Sequence, residues 1–127
     1  MKIKFVLFAI LLLISSFGFA QVSSVRFTFA TQSATGKTSG FTPGGVMWLH
    51  TIEIATTGSP AACTGHLEGS PKDSPADGDY VDMTGDITCT AAATMVHIAE
   101  KSVSSVRWNQ TALSGGATTT VTYNGIR

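Results

Sequence analysis

From Val22 onward, apolar and polar residues alternate in short runs with a period of two. Val25, Phe27 and Phe29 share one side of a segment whose other side carries Arg26 and Thr28. That alternation predicts a half-buried strand over 22–31. Residues 46–55 are apolar on both sides, with Val46, Trp48, Ile52 and Ile54 against Met47, Leu49 and Ala55. Such a run predicts a central strand covered on both faces. Over 62–69, Cys63, Gly65 and Leu67 alternate with Thr64, His66 and Glu68. Short strands are predicted over 80–83 and 86–90, split by Thr84-Gly85, and further strands over 95–99, 104–112 and 118–124. Residues 36–45, with Pro43-Gly44-Gly45, predict a loop, 57–60 a turn and 70–79 a long polar loop. Leu113-Ser114-Gly115-Gly116 predicts a hairpin-type connection, because paired glycines supply positive φ. No stretch holds a helical period beyond two turns.

About eight short strands with close turn signals predict an all-β fold, an antiparallel β-sandwich of jelly-roll-like build. Eighteen Thr, eleven Ser and twelve Gly follow Ala20; Thr favours strands because its branched Cβ fits a pleated surface. The predicted core is Phe27, Phe29, Trp48, Ile52, Ile54, Leu67, Val96, Ile98, Val106, Trp108, Val121 and Tyr123, enough for one two-sheet domain. No internal repeat is evident.

The first twenty residues have a different character. Lys2 and Lys4 precede an unbroken apolar run over 5–14, and Gly18 and Ala20 are small residues ahead of Gln21. This is the three-part build of a secretory signal peptide, with the cut before Gln21. The run is too short for a spanning helix. The expected division is therefore a signal peptide over 1–20 and a single domain over 21–127. The split also changes the charge. The whole chain has 8 basic and 8 acidic residues, but the basic signal accounts for two of the lysines, so the remainder is mildly acidic. Neither a nucleic-acid partner nor, after cleavage, a membrane is expected.

Export gives Cys63 and Cys89 meaning, because an oxidising compartment permits a bridge. The alternative is a pair of buried free thiols. Asp77, Asp79 and Asp82 lie in an acidic stretch and are candidate oxygen ligands for calcium, set against a solvated polar turn; no other cofactor is expected. His50, His66 and His97 form no compact ligand motif. No G-x-S-x-G elbow is present. Glu53, Glu68 and Glu100 are candidate carboxylates for glycoside cleavage, but the domain leaves little room for a sugar cleft. Tyr80, Trp48 and Trp108 are candidate aromatics for a sugar-stacking surface, set against simple core packing. Asn109-Gln110-Thr111 fits a glycosylation sequon.

The second half carries a recognisable pattern. Cys63-Thr-Gly-His-Leu-Glu-Gly-Ser70, Tyr80-Val-Asp-Met-Thr-Gly85, Met95-Val-His-Ile-Ala-Glu-Lys101, Ser105-Val-Arg-Trp-Asn-Gln-Thr-Ala-Leu-Ser-Gly-Gly116 and Thr118-Thr-Thr-Val-Thr-Tyr123 follow in order. Over about residues 60–125, the chain resembles small discoidin-like or jelly-roll-like β-sandwich proteins encoded among the structural genes of tailed bacteriophages and prophages. The resemblance implies a non-enzymatic module acting in assembly or surface binding, most like a virion structural or decoration protein. Its partners are then other copies of itself or other structural and surface proteins. The alternative is a secreted carbohydrate-binding or adhesion module with glycan partners. Either reading places the domain in the periplasm, outside the cell or on a virion.

Overall fold

The computed structural model describes residues 22–98 and 100–127. The expected signal peptide lies outside the described residues. Among the described residues nine strands form: β1 Ser24–Thr28, β2 Gly36–Lys37, β3 Leu49–Thr57, β4 Cys63–Ser70, β5 Val81–Asp82, β6 Ile87–Thr88, β7 Ala93–Ile98, β8 Ser105–Leu113 and β9 Thr118–Ile126, with a 3-10 turn at Asp77–Asp79. They make two antiparallel sheets. One has the order β1-β9-β3-β7; the other has the order β2-β8-β4-β5, with β6 also pairing with β4. The fold is the predicted β-sandwich. Among the described residues, no helix is long and apolar enough to cross a membrane.

The period of two places most of the core where the sequence predicts it. Phe29, Ile52, Ile54, Leu67, Val106, Trp108, Val121 and Tyr123 are buried, and Phe27, Val96 and Ile98 pack against them half-buried. Gly65 and Gly69 alternate with Leu67 on the inner side of β4 for a steric reason. A Cβ on Gly65 would collide with the Trp108 indole and lie 2.8 Å from the Asn109 carbonyl oxygen.

Between the sheets lies a buried amide. The Gln110 side-chain oxygen accepts from Trp108 Nε1 at 3.0 Å and from Thr119 Oγ1 at 2.7 Å. Its nitrogen donates to the carbonyls of Thr64 and Ala112, both at 2.8 Å. Both donors and both acceptor positions of the amide are used. Thr119 belongs to β9 in the opposite sheet, so the network crosses the core.

Cys63 and Cys89 are disulfide-bonded, with Cα atoms 5.0 Å apart. The bridge ties the start of β4 to the residue following β6, just before the chain passes to the other sheet.

Three expectations are corrected. The run 46–55 is not covered on both faces, and Trp48 is not core. Met47 points inward, Trp48 and Leu49 both point outward, and His50 points inward again. Two successive outward residues break the alternation just before β3, where Met47 pairs with Val103 as an isolated bridge. The break sends Val46 and Trp48 to solvent, at 55% and 58% exposure. Residues 36–45 are not simply a loop. Gly36 and Lys37 pair with β8, Thr38 donates to the Trp108 carbonyl and Phe41 bridges to Val106, so the segment forms a ragged edge to the second sheet. Residues 113–116 do not close a hairpin. They carry the chain from β8 in one sheet to β9 in the other, with Gly115 and Gly116 at φ +72° and +67°.

Candidate functional site

Two surfaces stand out: a polar cluster on the outer face of the β4–β8 pair, and an apolar ridge at the start of β3.

Strand register builds the first. Glu68 lies opposite Arg107, and His66 opposite Asn109, across the β4–β8 ladder. Arg107 Nε donates to Glu68, and its other nitrogens donate to the Asp77 side chain and, at 3.2 Å, to the Asp77 carbonyl. Asn109 donates to Glu68 Oε1 at 3.0 Å. His66 sits between Asp86 at 3.0 Å and Glu68 at 3.3 Å. Tyr80 covers the guanidinium, whose carbon lies 4.0 Å from the ring centroid, a cation–π contact. The Tyr80 hydroxyl occupies the space that a Cβ on Gly40 would need.

The charges in this cluster are settled by one another. Burial pushes the Glu68 carboxyl up, but hydrogen bonds from Arg107 and Asn109 outweigh it and hold it below the usual carboxylate range. Burial pulls the His66 imidazolium down, yet Asp86 and Glu68 more than compensate, so it titrates above an ordinary histidine. Burial likewise disfavours the Arg107 charge, and Glu68 and Asp77 reverse that effect. Hydrogen bonds from Arg107 and Lys37 lower Asp77. Arg107 is matched by Glu68 and Asp77, and His66 is held between Glu68 and Asp86. The arrangement braces the face around the buried Arg107–Glu68 pair, with the Asp77 and Asp86 carboxylates at its solvent-exposed rim.

The other predicted residues fall in several places. Asp77, Asp79 and Asp82 do not converge. Asp77 engages Arg107 and Lys37, Asp79 takes Lys72 at 2.5 Å, and Asp82 accepts from the backbone of Thr84 and Gly85, both at 2.9 Å. Among the described residues, no three potential metal ligands come together. Trp108 is fully buried and offers no surface for stacking, whereas Tyr80 is half-buried against Arg107. His50 is buried with both ring nitrogens engaged. Its Nε2 donates to the Lys101 carbonyl at 2.6 Å and its Nδ1 accepts from the Tyr123 hydroxyl at 2.8 Å. Burial keeps His50 below the ordinary histidine value. His97 is exposed and meets Thr51 at 2.9 Å. In the sequon, the Asn109 amide is already bonded to Glu68, and Gln110 is buried. Of the candidate carboxylates, Glu53 lies 4.0 Å from Arg26, Glu68 is in the polar cluster, and Glu100 is beside Trp48.

Sequence reasoning missed the polar cluster. Its centre pairs residues about forty positions apart through the β4–β8 register, and the 70–86 segment adds Asp77, Tyr80 and Asp86; the signal was polar residues at matching positions on two predicted strands.

The second surface follows from the break in alternation. Val46, Trp48 and Leu49 are all exposed. Trp48 and Leu49, with Glu100, line a hollow of about 220 Å³. Glu100 has φ +64°, a left-handed conformation uncommon for a residue with a Cβ.

No family model matches the chain, and no curated protein matches it. Solved structures do. The SPBc2 prophage-derived protein YomS aligns with TM-score 0.53 and 12% identity, over 87% of this chain and 98% of its own. The PBSX exported protein XepA aligns with TM-score 0.58 and 11% identity, over 87% of this chain and 40% of its own. A chitosan-binding module of a chitosanase/glucanase from Paenibacillus sp. IK-5, solved with chitotriose, aligns with TM-score 0.54 and 10% identity, over 79% of this chain and 91% of its own. At these identities the likeness is one of fold: a β-sandwich shared with prophage proteins and a carbohydrate-binding module.

Proposed function

We propose that this chain is an exported, non-catalytic β-sandwich that works by surface contact in a phage-type assembly, as a structural or decoration module. The ridge of Val46, Trp48 and Leu49 carries the reading. It is an apolar, outward-facing run of neighbouring residues, whereas the other large apolar side chains exposed among the described residues, Val22, Val81 and Met95, stand singly along the chain. Contiguous exposed apolar surface of this kind marks a contact site. The likeness to YomS supports the phage setting, because it spans nearly the whole of that prophage-derived protein. XepA, an exported prophage protein, supports export of this fold.

A second reading, glycan binding, is favoured by the indole of Trp48 beside a carboxylate-bearing hollow and by the chitosan-binding neighbour. An exposed indole stacks on sugar rings, and Glu100 would accept from their hydroxyl or ammonium groups. One pair of assays separates the readings. The chain and its Trp48→Ala variant are tested for co-sedimentation with prophage particles induced from the encoding strain, and for chitotriose binding by calorimetry. Retention on particles, lost in Trp48→Ala, is the expected result. Chitotriose binding without particle retention gives the second reading instead. Failure of both assays removes the ridge as the working surface.

A further inference from the structure

Strand β7 is an edge of its sheet, and its hydrogen-bonding pattern can be read from one contact. The Thr56 N–H donates to the Ala92 carbonyl at 3.0 Å. In the β3–β7 register, His50 faces Ile98, Ile52 faces Val96 and Ile54 faces Thr94. Bonded pairs alternate along an antiparallel ladder. Thr94, Val96 and Ile98 therefore turn their backbone groups towards β3. Ala93, Met95 and His97 turn theirs off the sheet, where no backbone partner occurs among the described residues.

Natural edges are normally blunted by shortness, charge, proline or a bulge. The other edges of this molecule follow that rule. β2, β5 and β6 are two residues long, and β1 carries Arg26 at its centre. β7 is different. It has six residues, Ala-Thr-Met-Val-His-Ile, with no proline and no carboxylate, lysine or arginine. Its central residue, Met95, is 60% exposed.

We infer that β7 pairs antiparallel with β7 of a second copy of this chain, about a two-fold axis at Met95. A two-fold contact requires a self-complementary surface, and this edge is one. Met95 faces Met95 of the second copy, and Ala93 faces His97 of the second copy. Each opposed pair exchanges both of its bonds, giving about six inter-chain hydrogen bonds. No like charges on the two strands oppose one another, and two exposed methionines meet at the axis. The two four-stranded sheets become one continuous sheet. This pairing is independent of the Trp48 ridge.

Met95 supplies the test. Opposed Cα atoms in a bonded pair lie about 5.5 Å apart, within disulfide range. Cys63 and Cys89 are already bridged, so Met95→Cys adds the one reactive thiol. Under mild oxidation, Met95→Cys is expected to form a covalent dimer, while a thiol at exposed Val81, in Val81→Cys, is expected to form far less. Sedimentation velocity of the unaltered chain at about 100 µM is expected to show a dimer. Met95→Pro deletes an N–H that faces away from β3, so the fold is expected to stay intact and the dimer to be lost. Met95→Lys, which opposes two charges at the axis, is expected to act likewise and serves if the proline variant fails to fold. A monomeric unaltered chain, a dimer that survives both Met95→Pro and Met95→Lys, or equal cross-linking from positions 81 and 95 overturns the inference.

Discussion

The pairing of Arg107 with Glu68 offers a stringent test of the polar cluster as a brace. Both side chains are buried, with 7% and 9% of their surfaces exposed. Arg107→Met removes the guanidinium and leaves the Glu68 carboxylate with only Asn109 and His66 as donors. Removing one member of a buried ion pair costs about 3–5 kcal/mol, because the remaining charge is left uncompensated. Glu68→Leu should cost somewhat less, about 2–3 kcal/mol, since Arg107 retains the exposed Asp77 carboxylate and the Tyr80 ring. The double variant removes both charges together and leaves neither stranded. Its expected cost is about 1–2 kcal/mol, well below the sum of the singles. Urea titration followed by the fluorescence of buried Trp108 reads all three values. Additivity of the two singles to within about 0.5 kcal/mol would refute the reasoning, because it would mean that the two groups do not depend on each other. A pH series supplies a second arm. The Glu68 pKa is lowered by folding, so its stabilisation is present above the unfolded carboxylate value of about 4.3 and is lost as pH falls towards the folded value. Glu68→Leu should flatten that acidic loss.

Reduction of the Cys63–Cys89 bridge opens a loop of 25 enclosed residues; chain entropy assigns this about 3.5 kcal/mol, or roughly 15 °C in Tm, and a drop below about 3 °C by calorimetry with reductant would contradict it. His66 should titrate above about 6.5 by proton NMR. Asp86→Asn should lower that value, and His66 should contribute stability at acidic pH that disappears as pH rises through its folded pKa. Gly65→Ala should destabilise the domain by about 1–3 kcal/mol in urea, because the added methyl meets Trp108 and the Asn109 carbonyl; an unchanged midpoint would show that the indole can move aside.

Much of the fold was legible because most strands in this chain bury one face. Alternation around Phe27, Leu67, Val106 and Val121 marks both the strand and its inward side. The failures have local causes. At Trp48 and Leu49, two neighbouring residues face the same way, and a strict period of two assigns Trp48 to the wrong side. The β2 segment, Gly36-Lys37, lies in a run of Thr, Ser and Gly that reads as a turn, and only its contacts with β8 make it an edge. Gly115 and Gly116 announce a change of direction, but the same glycines suit a hairpin and an arch between sheets. Asp77 and Asp79 are close in sequence but answer to different cations, Arg107 and Lys72. Carboxylate spacing cannot reveal that division, since both partners depend on long-range packing.

The buried Gln110 amide bears on how the two sheets keep their alignment. Hydrocarbon packed on hydrocarbon is non-directional: one sheet can creep across the other while losing little contact. Four directional bonds reaching Trp108, Thr64, Ala112 and, across the gap, Thr119 have a single best position. The amide therefore acts as a detent between two greasy plates. Filling the same space with leucine would keep the plates together but release the stop, and a surface that spans both sheets would lose its fixed outline.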